Sequence, residues 1–459
     1  MTAAPEPGLE TLAAWAAGFH PEKLPPAVLD KAKACLLYGL AVGISSTGAD
    51  LPRRIAKAET DAPGAGRRGA RRLLDGRTVA PDAAALANAV LMHVRIQEDA
   101  HPAGHIGVVV LPAALAAAEA ADADGPALLA AIVAGYEVAL RIGRDHAADL
   151  SARGFRTTST YGAFGAAAVG GRLLRLEAAG MTNALALAAN AACGLREFVA
   201  AGTGEYAVQA GLAARSGLLA SRLAAAGAGA APTALEGSAG FYRAFGERAD
   251  GYGGRLIDGL GRDFELMAIA GKPYPTCQFH GGVVRGLAAL RERSDGQEVE
   301  RIEVRMHPFE ADFVGVRHAG PFRAFSQTFM SLPFCAALAW TAGGASFKAM
   351  HEFENPDMLA LVPRVHVIAD GARGRYQPLV EVALQNGRHL VWEERDGREA
   401  YLLTWERTVA MAGALLDEVG AGEAADRLIG ATAALDGAAS VEPVIDAAIA
   451  GCAAAAKTA

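Results

Sequence analysis

The sequence predicts a mainly α protein, with a large all-helical domain and a smaller α+β lid domain. Three observations carry that prediction. Of 459 residues, 52% are hydrophobic, 20% charged and only 6% aromatic. That supplies an ample core and excludes a disordered chain, but it is poor in the residues a β-sandwich uses. Alanine-rich stretches such as 113–118 favour helix, because alanine loses least on entering one. Near Leu266 the texture changes from helical runs to alternating ones.

In chain order, Pro25-Pro26 open a helix with Val28, Leu29, Ala32, Cys35 and Leu36 on one stripe. Pro81-Asp82 open another that runs to His93. Further helices are predicted at about 108–121, 126–144, 160–174, 181–193 and 209–226. Many are apolar on every side, as interior helices are, and Gly162, Gly165, Gly170 and Gly171 would let them pack closely. In the lid, Ile302, Val304 and Met306 share one face of a strand over 299–306, and Val365 and Val367 mark a second. Asn386-Gly387 between alternating runs at 379–384 and 389–392 is a hairpin signal. Two helices are expected between these strands, at 325–340 and 347–361, and the tail from Leu402 reads as helical. The expected division is 1–265 with 398–459 for the helical domain and 266–397 for the lid.

Net charge is −7, with no basic run, so a nucleic-acid partner is not expected. Cys35, Cys193, Cys277, Cys335 and Cys452 are scattered, without CxxC or metal spacing, which reads as reduced cytoplasmic thiols. The start, MTAAPEPGLE, lacks the pattern of a signal peptide, and the long uncharged runs are rich in Ala rather than Leu, Ile and Phe. No membrane span is expected. There is no GxGxxG after a strand, no Walker A and no GxSxG, so no nucleotide cofactor is expected.

Chemistry concentrates in three clusters. His93, Arg95, Gln97, Glu98, Asp99, His101 and His105 crowd thirteen residues between two helices, a loop suited to acid–base work and anion binding. A solvated connector is the bland alternative. His101 and His105 have the spacing of a metal pair, but Pro102 and Gly104 oppose a helix there, and no metal is expected. The second cluster is Lys272, Tyr274, Cys277 and His280 in a loop stiffened by Pro273 and Pro275. Lys272 suits a carboxylate, or is a plain surface charge. Cys277 and His280 form a weaker candidate for a thiol nucleophile, since nothing orients the pair. The third is Arg156, Thr157, Thr158, Ser159 and Thr160 ahead of a glycine-rich helix. The hydroxyls suit an N-cap, and Arg156 a carboxylate clamp.

Together these segments resemble the MmgE/PrpD family, over most of the chain. The resemblance rests on Ala87-Asn88-Ala89, Leu111-Pro112-Ala113, Gly135-Tyr136-Glu137-Val138, Gly154-Phe155 before Thr158-Ser159, Leu235-Glu236-Gly237 before Gly240-Phe241, and the Lys272–Cys277 loop. It implies a cofactor-free homodimer with its site between a helical domain and a lid, acting on small polycarboxylic acids by proton transfer next to a carboxylate. It places His105 and Lys272 at the site, with Tyr274 and Cys277 in the same loop pattern. Three positions depart from the family pattern. Arg95, Gln97 and Glu98 stand in the usual aspartate-rich stretch, Arg156 stands where histidine is common, and Tyr206 where lysine is common.

The expected function is therefore a cofactor-independent lyase of dehydratase type. His105, His101, Lys272, Asp99 and Glu98 are its candidate catalytic residues. Arg95, Arg156, Tyr206, Tyr274 and Thr158 are the candidates for binding a small carboxylic acid. An isomerase, epimerase or decarboxylase on a related acid needs similar proton chemistry, and a non-catalytic ligand-binding homologue is the reading of a different class.

Overall fold

The computed structural model describes residues 8–60, 62, 68–246 and 252–458. It is mainly helical, with one four-stranded sheet and two two-stranded pairs among the described residues. The observed helices are Pro26–Ser45, Pro81–His93, Gly107–Ala121, Gly125–Gly143, Thr157–Leu173, Ala178–Ala191 and Glu205–Ala225. They match the predicted series to within a turn at each end. Gly8–Gly18 and Asp50–Ala58 add two that the sequence reading did not single out.

Close approach explains the glycines. A Cβ on Gly165 would lie 2.8 Å from the carbonyl oxygen of Gly135, and one on Gly217 would lie 2.5 Å from that of Ala163. Only glycine lets the helix Thr157–Leu173 touch both its neighbours backbone to backbone. Gly125–Gly143 is long and apolar enough to cross a membrane, yet 89% of that stretch is buried inside the fold. It carries a buried pair, Glu137 and Arg141, at 3.0 Å. The Arg141 guanidinium donates to the carbonyls of Leu256, Asp258 and Asp263, and Glu137 accepts from the Leu266 amide. This buried pair thereby fixes the segment that leads to Lys272.

The sheet lies in the order Val365–Ala369, Val299–Met306, Leu379–Leu384, His389–Glu393. The first pair is parallel and the others antiparallel. Ile302, Val304 and Met306 are buried with Val380, Val382 and Leu384, as alternation requires. The Asn386-Gly387 hairpin is present, with Gly387 at φ +83°.

Two expected helices are corrected. The segment 325–340 is two helices, Phe325–Met330 and Leu332–Ala342. Pro333 sits at the start of the second, where its missing N–H costs nothing, and Ser331 caps it by accepting from the Phe334 amide at 3.0 Å. The segment 347–361 is a turn of 3₁₀ helix, Ala349–His351, followed by Pro356–Leu361, which Asn355 caps.

Two hydrophobic clusters result. The larger joins the long helices to the C-terminal helices Trp405–Glu418, Ala425–Ala433 and Glu442–Ala455. The smaller joins the sheet to the helices Gly281–Glu292 and Leu332–Ala342. It also takes in Val90, Val94, Ile96, Phe198 and Tyr206 from the helical side. Apolar contact therefore continues across the boundary where polar residues gather.

Candidate functional site

A two-residue strand brings the two main polar loops together. Asp99 pairs with Gly271 and Ala100 with Ala270 in antiparallel register. That pairing sets Glu98 beside Lys272, although 174 positions separate them. Lys272 Nζ donates to Glu98 Oε1 at 2.7 Å, and His105 Nδ1 lies 3.4 Å from the same oxygen. His93 Nδ1 lies 3.0 Å from Glu98 Oε2. Glu98 and Lys272 are both buried. The neighbouring cation of Lys272 outweighs burial and holds the Glu98 carboxyl well below the usual range, so it is ionised.

Hydrogen bonding fixes the histidine tautomers. His105 Nδ1 lies 2.7 Å from the carbonyl oxygen of Asp99. A carbonyl only accepts, so Nδ1 carries the proton and Nε2 of the neutral ring keeps its lone pair. Burial and the charge of Lys272 push the His105 imidazole down to about 3, so the ring is neutral at pH 7. His93 Nε2 accepts from Arg156, an obligate donor, and burial pushes that ring down to about 4. Arg156 also donates to the Tyr206 carbonyl.

His105, Lys272, Arg156 and Thr158 line a cavity of about 320 Å³. Arg144, Arg196 and Arg375 line it too, together with Phe198, Phe279, Phe309, Phe313 and Phe329. Five cations face this space, and no aspartate or glutamate is among the described residues that line it. Lys272 is paired with Glu98, Arg144 with Glu265 at 2.6 Å and Arg375 with Glu310 at 2.8 Å. Among the described residues no carboxylate lies within ion-pair distance of Arg156 or Arg196. The cavity thus carries a surplus of positive charge that suits a small polyanion.

Several expected site residues stand elsewhere. The Arg95 guanidinium is spent on Gln97, the Ser45 carbonyl and Glu418, and it does not line the cavity. Asp99 faces inward, accepting from the Tyr136 hydroxyl at 2.6 Å and the Gly107 amide at 3.2 Å. Burial pushes its carboxyl up to about 7. His101 accepts from the Ala103 amide at 3.1 Å and lies 3.5 Å from Glu265. The Tyr206 hydroxyl donates to the Val94 carbonyl at 2.8 Å, with its ring edge-on to His93. Tyr274 does not line this cavity and sits in an adjoining small cleft with Arg398 and Tyr401. Glu98 touches the cavity only through Lys272 and His105. The expected N-cap is also corrected. The helix begins at Thr157, its cap position is Arg156, and Thr158 Oγ1 instead accepts from the His105 amide at 3.1 Å. Cys277 lines the cavity, but burial pushes its thiol up to about 11, an inert value for a nucleophile. Among the described residues no group of three or more His, Cys, Asp or Glu side chains is placed to hold a metal ion.

Sequence reading missed Arg144, Arg196 and Arg375, which lie outside the three polar clusters. The Gly154–Arg156 segment carries one signal in retrospect. Phe155 bridges to Leu195, and the Arg196 amide donates to the Gly154 carbonyl at 3.0 Å, so Arg156 and Arg196 are neighbours by backbone pairing.

Residues 10–251, more than half of the chain, match the MmgE/PrpD N-terminal domain. The chain belongs to the MmgE/PrpD family. Relatives in this family include the cis-aconitate decarboxylase of Aspergillus terreus, 32% identical over 295 residues, which are 61% of this chain and 59% of the relative. A cis-aconitate decarboxylase-like protein, oryM, of Aspergillus oryzae is 30% identical over 277 residues, 57% of this chain and 55% of the relative. The match thus spans less than two thirds of either relative. Within this MmgE/PrpD chain, the matched region contributes His105, Arg156 and Arg196 to the cavity, while Lys272 and Arg375 lie beyond it.

Proposed function

We propose that this MmgE/PrpD protein is a lyase that acts on a small polycarboxylic acid by acid–base chemistry. One observation carries the reading: an unprotonated His105 Nε2 in a cavity faced by five cations and, among the described residues, lined by no carboxylate. Arg156 and Arg196 bind carboxylates of the substrate. His105 Nε2 takes the proton on the carbon next to a carboxylate, a step that needs a base within hydrogen-bond reach. Lys272 stabilises the enolate-like charge that develops. Collapse of that charge expels a β-hydroxyl as water, and Lys272 supplies the proton. Glu98 accepts from Lys272 Nζ at 2.7 Å and orients it. The reaction so written needs no cofactor.

Decarboxylation is the second reading, and the activity for which the Aspergillus relatives are named favours it. There Lys272 delivers a proton to carbon, the electrons of the breaking C–C bond form the new double bond, and CO₂ leaves. NMR in deuterated water with hydroxylated and unsaturated tricarboxylic acids separates the readings. Dehydration gives a new alkene with loss of water, and reversible proton abstraction puts solvent deuterium at the α-carbon of the recovered substrate. Decarboxylation gives CO₂ and one deuterium per turnover. Neither product nor exchange with any such acid overturns the lyase proposal.

A further inference from the structure

Outside the cavity, one helix spends buried polar side chains on the segment that carries Lys272. The helix Pro26–Ser45 is buried over most of its length. Lys31 and Tyr38 lie seven positions apart on it, two helical turns, and so share a face. Lys31 Nζ donates to the Ile269 carbonyl at 2.5 Å and to the Leu403 carbonyl at 2.8 Å. The Tyr38 hydroxyl lies 2.6 Å from the Gln97 carbonyl and 2.5 Å from the Lys272 carbonyl. The two side chains thus grip the strand Ala270–Gly271 from both ends, at Ile269 and at Lys272.

The grip falls where backbone pairing stops. The ladder between the two loops ends at Asp99 and Gly271, and the next residues out are Glu98 and Lys272, whose side chains meet. Gln97 Nε2 makes one more bond between the loops, to the Pro273 carbonyl at 2.9 Å. The Tyr38 hydroxyl has one proton for two carbonyls, so it draws both loops to one point. Burial raises its phenol well above the usual range, so it stays a donor. Lys31 is costly to bury: it is 5% exposed, and among the described residues no carboxylate lies within ion-pair distance of it. Neither side chain lines the cavity, so neither touches a substrate there.

We propose that Lys31 and Tyr38 are positioning residues for Lys272: they anchor its strand to the helix Pro26–Ser45 and so keep Lys272 Nζ on Glu98 at the cavity wall. The inference rests on the lyase reading, which gives Lys272 its part in the reaction. A reacting group displaced by about 1 Å can lose ~10² in rate, so a hydroxyl that never meets substrate can still set kcat.

A short pulse of acetic anhydride, with acetylation read at each lysine by mass spectrometry, tests this without a substrate. Tyr38→Phe removes the hydroxyl and keeps the ring. It should speed acetylation of Lys272 by roughly 2- to 10-fold, the size of one lost buried hydrogen bond, and Lys31→Met should do the same. Lys33, buried on the same helix but tied to Asp30 and Asp436, should not change. Tyr242→Phe, which loses a buried bond to the Ile142 carbonyl at 3.0 Å, should leave Lys272 as in the parent. With any acid that is turned over, Tyr38→Phe should lower kcat by about 10- to 100-fold with KM little changed, and it should cost nothing further in the Lys272→Ala background. Folded Tyr38→Phe and Lys31→Met variants with the parent's Lys272 rate overturn the proposal; if Lys31→Met does not fold, Tyr38→Phe decides. An equal rise at Lys33 overturns it too, since that marks general loosening of the fold. So does an additive loss in the double variant. If no acid is turned over but Lys272 acetylation still answers to Tyr38, the positioning stands and the lyase reading fails.

Discussion

Glu98 shows how one buried carboxylate organises several neighbours. It holds Lys272 at 2.7 Å and lies within 3.4 Å of two histidines, and Glu98, Lys272 and His93 are all buried. Removing one partner of such a pair leaves the other charge buried and alone. Glu98→Gln should therefore cost about 3–5 kcal/mol of stability, read from urea unfolding. His105→Ala should lower kcat/KM by ~10²–10⁴, while Cys277→Ala changes it little. Because the free His105 ring stays neutral down to about 3, kcat/KM should not lose activity around pH 6.5, where an ordinary imidazole titrates. An acid limb near 6.5 would mean that another group is the base. The loop that carries these residues was legible, since polar density inside an apolar half of the chain marks it. The direction of each side chain was not. Arg95, Asp99 and His101 share that loop but turn into the fold, because the short pairing of 99–100 with 270–271 decides which residues face the cavity.

At the scale of elements, period and punctuation were enough wherever the chain is regular. The Pro81–His93 helix and the strand Val299–Met306 have the predicted bounds, because a proline or a clean alternation marks them. Local pattern failed at 325–340 and 347–361, where Pro333 and Pro356 each restart a helix that the hydrophobic run alone would continue. The helix contacts are tighter than pattern reveals. Gly217 packs on the backbone of the Thr157–Leu173 helix, with room for no side chain: its added Cβ would meet Ala163 O and Ala166 Cβ at 2.5 Å. Gly217→Val must push the two helices apart and should destabilise the protein by about 1–3 kcal/mol, seen as a lower urea midpoint. The same substitution at Gly413, which meets nothing within 4 Å, should cost far less.

For the molecule as a whole, burial of titratable groups along the boundary between the two hydrophobic clusters ties stability to pH. Burial holds His105 and His280 down to about 3 and His93 down to about 4, and it lowers His101 as well. An unfolded imidazole takes its proton near pH 6.5. Between about 6.5 and these lower values the unfolded chain binds protons that the fold refuses, so stability falls as pH falls through that window. Glu98 acts in the same direction, since its carboxyl is held below the usual range and its contribution is lost on protonation. Asp99 and Glu137 oppose it. Burial raises both carboxyls to about 7, so the fold keeps protons there that the unfolded chain releases, and their contribution is lost as pH rises towards 7. The four imidazoles take up protons on unfolding across this whole window, so the melting temperature should drop from pH 7 to pH 4.5, and Glu98 adds to the drop only below about 4.5. His280→Leu should make that drop shallower by removing one acid-labile group. Asp99→Asn should make it steeper by removing an opposing one. Thermal melts at matched ionic strength read both slopes. A melting temperature that rises on acidification, or slopes that neither substitution moves, would show that these groups are not held neutral by the fold.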